Sequence, residues 1–222
     1  KSVFPGSVDS HFHIGIYRPA RDDAASESRA AVTGGVTTIL SYFRTGSNYL
    51  NKTGPYTQIL PELLDTCRDS FIVDYGYHLA IMTGQQLDEI DTLVQKFGVS
   101  TFKHFMFYKM MNLAGSSLDG AKYRMTDEPY DLGFLQTLMS KVAQANERYR
   151  KFGNIRLSLH CENPELIRVA TQETKNSGRT DLEAWSLARP GASEGLAINE
   201  AAFLANETAC PVNLLHLSGS KA

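Results

Sequence analysis

Five side chains in this sequence have types and spacing that point to metal chemistry: His11, His13, Lys103, His160 and His216. The two histidines His11 and His13 stand at i, i+2 in the run Val3-Phe4-Pro5-Gly6-Ser7-Val8-Asp9-Ser10-His11-Phe12-His13. Strand side chains alternate faces, so two imidazoles at that spacing reach the same side and can meet one cation. An isolated His-x-His is a weak signal, since it equally describes two polar residues at a strand end. Its weight comes from the other three, each of which lies near the end of an apolar, strand-like run. A protonated lysine is repelled by divalent ions, but a lysine with a lowered pKa reacts as a free amine. With carbon dioxide that amine forms a carbamate, an anion with two oxygens that can bridge two metals. The plainer reading of Lys103 is a strand lysine in a surface ion pair.

The elements that must position these groups alternate along the chain. Apolar or β-branched runs cover residues 7–15, 37–42, 71–81, 101–108, 155–161 and 212–217. Helical patterns lie between them at 26–33, 58–67, 85–97, 132–150, 164–177 and 193–207. In the segment 85–97, Leu87, Ile90, Leu93, Val94 and Phe97 repeat at the helical period. Alternating β and α of this kind implies a parallel sheet, open or closed. In the closed form, a (β/α)8 TIM barrel, catalytic residues come from the C-terminal ends of several strands. Lys103, His160 and His216 sit where that rule would put them. Six strands are countable against the eight of a barrel, so the chain is expected to supply about the first six strand–helix units of a longer polypeptide. One long segment, 109–123, is rich in Met, Gly and Ser and is expected to be an irregular loop.

Composition narrows the classes. The chain has 222 residues, 42% hydrophobic and 21% charged, with a net charge of −2. There is no basic stripe, which argues against nucleic acid as the main partner. No apolar run is long enough to span a membrane. The three cysteines, Cys67, Cys161 and Cys210, are too few and scattered for a disulfide framework and suit a reducing compartment. Other polar residues near the candidates read as support. His78 is expected to make structural hydrogen bonds. His104, of opposite parity to Lys103, is expected to face the helices. Asp9 shares the parity of His11 and is a candidate to orient it. Cys161 points away from its histidine neighbour, and Glu162 and Asn163 are either supporting or structural.

Taken together, these motifs resemble the amidohydrolase superfamily, in its dihydropyrimidinase/hydantoinase branch. The stretch from Val3 to His13 fits V-x-P-G-x-x-D-x-H-x-H, and Gly35 to Thr38 fits G-x-T-T. The run from Asp74 to His78 is similar to the family's third strand. The run from Thr101 to Lys109 fits the block that holds the carboxylated lysine and, five residues later, a catalytic tyrosine. His160-Cys161-Glu162-Asn163 resembles H-A-E-N, Arg189-Pro190 with Glu194 resembles R-P-x-x-x-E, and Leu215-His216-Leu217-Ser218 resembles V-H-L-S. Phe12 and Phe107 depart from the smaller residues usual at those places, and the loop 109–123 is longer than usual.

The resemblance implies a hydrolase that opens a cyclic amide or imide ring, of dihydropyrimidine or hydantoin type, by attack of a metal-bridging hydroxide. His11 and His13 would hold one divalent ion, His160 and His216 the other, most often zinc, with a carbamate on Lys103 between them. Tyr108 would donate to the developing oxyanion. An aspartate ligand, the last barrel strands and an N-terminal β-sandwich would lie outside residues 1–222, which are expected to be one partial barrel domain. The resemblance further implies a cytoplasmic homo-oligomer, dimer or tetramer, acting on a small molecule. Allantoinase or dihydroorotase chemistry, and a non-enzymatic dihydropyrimidinase-like protein, are the alternatives.

Overall fold

A computed structural model describes residues 2–16, 18–45, 50, 52–108, 111–112, 124–125 and 129–220. The chain divides into two compact units, and strand β4 (Thr101–Phe105) begins in the first and ends in the second.

The first unit takes in Lys1–Phe102, Met111–Thr126 and Lys151–Gly153. Strands β1 (Ser7–His13), β2 (Val36–Phe43) and β3 (Asp74–Ala80) lie side by side in chain order. They run parallel, with His13 opposite Tyr42 and Tyr42 opposite His78. Parallel neighbours need crossovers, supplied by α1 (Ala20–Thr33) and α2 (Tyr56–Thr66). Ile39, Tyr56, Leu60, Leu63, Leu79 and Ile81 are buried at the core of this unit.

The Pro5-Gly6 step explains part of the first motif. A Cβ at Gly6 would lie 2.2 Å from Thr37 Oγ1, in the G-x-T-T segment. Gly6→Ala must push β1 and β2 apart locally, and it is expected to cost about 1–3 kcal/mol of stability, read as a lower urea midpoint. Gly35, between α1 and β2, has φ +89, which glycine adopts without strain.

The single helix expected over 85–97 is two, α3 (Gly84–Asp88) and α4 (Ile90–Phe97). Glu89 at the break explains this. Its carboxylate accepts from the Tyr56 N–H (2.7 Å), the Thr57 N–H (2.9 Å) and the Thr57 hydroxyl (2.5 Å). Those amides are donors that the first turn of α2 cannot satisfy internally, and α2 has no cap of its own. Glu89→Ala is expected to cost about 1–2 kcal/mol, measured by thermal unfolding. Helices α1 and α2 each begin earlier than their apolar patterns, at Ala20 and Tyr56. Of the loop expected at 109–123, Met111–Asn112 (β5) pairs antiparallel with Arg124–Met125 (β6). The rest of it lies outside the described residues.

The second unit takes in Lys103–Met110, Asp127–Arg150 and Asn154–Ala222. After Phe105 the chain leaves β4 for a 3-10 turn over Met106–Tyr108, so Tyr108 stands on a turn and not on a strand as expected. Helix α5 (Leu132–Arg148) starts where Asp131 accepts the Phe134 N–H at 3.0 Å. Its buried stripe is Leu135, Leu138, Met139, Val142 and Ala145, at the helical period. Strand β7 (Arg156–His160) is followed by α6 (Pro164–Asn176), which opens with proline at its first turn and Asn163 as cap. Next come α7 (Leu182–Leu187), capped by Asp181, and α8 (Gly191–Thr208). Strand β8 (Val212–Leu214) pairs parallel with β7. The run expected as strand to residue 217 therefore stops at Leu214. Leu215 still donates its N–H to the Leu159 carbonyl at 3.1 Å, and His216 turns the chain with φ 35. No helix among the described residues is long and apolar enough to cross a membrane.

Candidate metal site

In the first unit, His11 and His13 both project from β1 to the same side, as their spacing requires. Their Nε2 atoms are 3.2 Å apart and their rings 4.9 Å apart, edge to face. At that separation one nitrogen donates and the other accepts, so at least one ring is neutral. The two Nε2 atoms converge as the donors of one cation would. Asp9 accepts the His11 backbone N–H at 3.0 Å, so it acts on the strand and not on the ring. His78 reaches β1 from β3. Its Nε2 donates to the Ser10 carbonyl, and its Nδ1 accepts from the Thr101 hydroxyl at 2.6 Å. Both ring nitrogens are used, which makes it the structural residue expected.

In the second unit, Lys103 is fully buried, and its Nζ has no hydrogen-bond partner among the described residues. The Nζ sits 4.6 Å from the centre of the Phe105 ring. Burial pulls its pKa down from 10.5 to about 7, only partly countered by Cys161. The surface ion pair considered for Lys103 is therefore ruled out. His104 faces the other way, stacked 4.3 Å from Tyr130 and 6.0 Å from Phe134 of α5. Burial, with the Lys103 charge adding, holds it down to about 3, so it stays neutral.

His160 and His216 meet edge to face with ring centres 4.5 Å apart. His160 Nε2 lies 2.6 Å from a Glu162 oxygen, and Arg189 Nη1 bonds both oxygens of Glu162, at 2.7 and 2.6 Å. Burial raises the Glu162 carboxyl, but the bonds from His160 and Arg189 outweigh it and hold it below its ordinary range. His216 is lowered by burial and then by the nearby His160 and Lys103. Its turn is pinned by Glu194, which accepts from the N–H of Ser218 (2.9 Å) and of Gly219. Cys161 is buried, and that burial pushes its thiol up to about 12, which rules out a ready nucleophile. Asn163 caps α6 and exchanges hydrogen bonds with Ser193, so it is structural. Tyr108 packs 4.9 Å from Phe105 and 4.1 Å from Phe107, ring to ring. A cavity of about 580 Å³ is lined by Phe107, His160, Glu162, Trp185, Arg189 and His216, among others.

The donor set fits divalent ions of the zinc kind, which take neutral imidazole nitrogen and oxygen anions. The Lys103 amine, buried with no hydrogen-bond partner among the described residues, could join such a set only as an anion such as a carbamate. Among the described residues, no group of three or more His, Cys, Asp or Glu is gathered at metal-binding range. What the fold provides is imidazole pairs. Sequence reasoning named both pairs but missed Arg189 and Glu194 as supports of the His160 and His216 pair. The R-P-x-x-x-E spacing was the available signal.

No family model matches the sequence. Among known proteins, a D-hydantoinase of Geobacillus stearothermophilus is 28% identical over 225 residues, which is 99% of this chain and 42% of that protein. A dihydropyrimidinase of Rattus norvegicus is 27% identical over 233 residues, all of this chain and 38% of that protein. The rat dihydropyrimidinase-related protein 5 aligns equally well, at 27% over 231 residues and 35% of its length. A crystal structure of a D-hydantoinase superposes with a TM-score of 0.72 at 25% identity, covering 97% of this chain and 42% of that one. The chain thus spans less than half the length of the proteins it matches. The (β/α) barrel class expected from the strand–helix alternation is the class of these neighbours. Sequence and fold together relate this chain, over essentially its whole length, to the dihydropyrimidinase/hydantoinase branch of the amidohydrolase superfamily.

Proposed function

We propose that the chain is the metal-holding part of a hydrolase that opens cyclic amide or imide rings of the dihydropyrimidine or hydantoin type. The supporting observation is the Lys103 amine, fully buried with no hydrogen-bond partner among the described residues. A buried cationic amine without a partner is costly, whereas a neutral amine in that place can take up carbon dioxide. The reading treats residues 1–222 as part of one barrel domain. His11, His13, Lys103 as its carbamate, His160 and His216 are the proposed ligands of two divalent ions, zinc by preference. Bound there, such ions would polarise a carbonyl and lower the pKa of water to about 7.

The chain's own groups do the rest. Neutral imidazole is the form of His11, His13, His160 and His216 that holds metal. Tyr108 is proposed to donate its hydroxyl proton to the oxyanion, an interaction of about 3–4 kcal/mol in comparable sites. Phe107, in the cavity wall, packs 4.8 Å from the His160 ring, and Phe105 lies 4.6 Å from the Lys103 amine. A cytoplasmic homo-oligomer, dimer or tetramer, belongs to the same proposal.

The test is a side-by-side assay of the full-length protein with dihydrouracil, hydantoin, allantoin and dihydroorotate. Turnover of one of the first two is expected. Turnover of allantoin or dihydroorotate alone would move the protein to a neighbouring subclass. No turnover, with no zinc, manganese or cobalt bound in titration, would replace the proposal with a non-enzymatic dihydropyrimidinase-like role.

A further inference from the structure

We propose that the second unit carries a ligand site on the helix side of its sheet, a cavity at the starts of α5 and α6 that takes a small organic cation with an apolar body. The inference does not depend on the metal reading.

The cavity has a volume of about 290 Å³, at the small end of ligand pockets. Leu135 of α5, Leu166 of α6 and Leu196 of α8 give it apolar walls. It shares no lining residue with the cavity beside His160. That other cavity has a cation in its wall, Arg189, whose guanidinium lies over Trp185 at 4.8 Å and over Phe107 at 5.3 Å. The cavity at α5 and α6 has no lysine or arginine among the described residues that line it. Its charged side chains are Asp131, Glu165 and Glu200. Carboxylates in a partly apolar setting attract a cation more strongly than they do in water. The cap that Asp131 makes on the Phe134 N–H uses only its Oδ1.

His104 lines the same cavity. It is 2% exposed, and its Nδ1 has no hydrogen-bond partner among the described residues. Buried polar atoms are nearly always paired. Stacking against Tyr130 at 4.3 Å holds the ring where it is. An ammonium has only donors, and a neutral imidazole has one lone pair to accept them, directly or through one water. An anion in this cavity would meet three carboxylates, and a purely apolar molecule would leave the imidazole unpaired.

The full-length protein is titrated with 2-phenylethylammonium, with 2-phenylethanol as the neutral counterpart and phenylacetate as the anionic one. Calorimetry gives the affinity, and the ¹H–¹³C signals of the His104 and His160 rings give the place. The cation is expected to bind with a Kd of about 1 mM or tighter and to shift His104 but not His160. The alcohol is expected to bind roughly 10-fold more weakly, and phenylacetate not to bind. Asp131→Asn keeps the helix cap, since Asn caps as well as Asp does. It is expected to weaken the cation about 5-fold and to leave the alcohol unchanged. Leu196→Trp fills the cavity from its exposed rim and is expected to abolish binding of both. Equal binding of the three probes, no saturation by the cation, a shift at His160 in place of His104, or unchanged cation binding in Asp131→Asn overturns the inference. If Leu196→Trp does not fold, the Asp131→Asn comparison still decides it.

Discussion

Lys103→Met is expected to leave the protein at least as stable as the parent at neutral pH while cutting the ring-opening activity proposed for the full-length protein by more than about 100-fold. Loss of a residue that merely supports a ligand costs on the order of 10–100-fold, and loss of the proposed bridging ligand should cost more. The stability half follows from burial. The Lys103 amine has no hydrogen bond among the described residues, and methionine fills a similar volume without a group to desolvate. The effect has a pH signature. Folding lowers the Lys103 pKa from 10.5 to about 7. Between those values the unfolded chain binds a proton that the folded chain does not, so stability rises with pH across that window. Below it the penalty is complete, and above it the penalty is gone. Methionine has no such slope. The variant's melting-temperature advantage should therefore be largest near pH 6–7 and should shrink towards pH 10, measured in buffer free of carbon dioxide. Parallel melting curves at every pH would show that the amine is not buried as described.

The second large effect belongs to the histidine pair of β1. If the proposed ligand set is right, His11→Ala, His13→Ala and the double variant should each lose the ion proposed for the pair, with the proposed activity of the full-length protein down on the order of 100-fold or more in all three. The double should be no worse than either single, because groups that act as a unit are strongly non-additive. Their Nε2 atoms are 3.2 Å apart, close enough to act as one unit on the proposed ion. His13 is exposed, so its replacement should change stability by no more than about 0.5 kcal/mol. Metal counted after gel filtration decides the matter. A full complement of metal in any of the three variants would remove His11 and His13 from the ligand set.

Much of this was legible in the sequence because it depends on local periodicity. The i, i+2 spacing put His11 and His13 on one face, and strand parity separated Lys103 from His104. What was not legible depends on partners distant in the chain. Nothing within 85–97 says that Glu89 is drawn to the start of α2, 32 residues away at Thr57, and that contact is what splits the helix. Helix α7 is too short to show a period, and its signal was only the cap at Asp181. Tyr108 and His216 read as strand because their neighbours are apolar. Both lie past the strand, on a 3-10 turn and on a backbone with φ 35. In these places the chain leaves regular geometry where the candidate chemistry sits.

The stacking of Arg189 between Trp185 and Phe107 ties two properties that an engineer would want to vary separately. Those two rings are part of the cavity wall, so they are the obvious places to admit a bulkier ring substituent. They are also what steadies the arginine that steadies Glu162. A substitution that widens the wall loosens the guanidinium, and the slack passes through the carboxylate to His160. On the proposed function, variants selected for broader substrates at Trp185 or Phe107 will tend to be leaky for the proposed metal, and their activity will depend on how much zinc is in the assay.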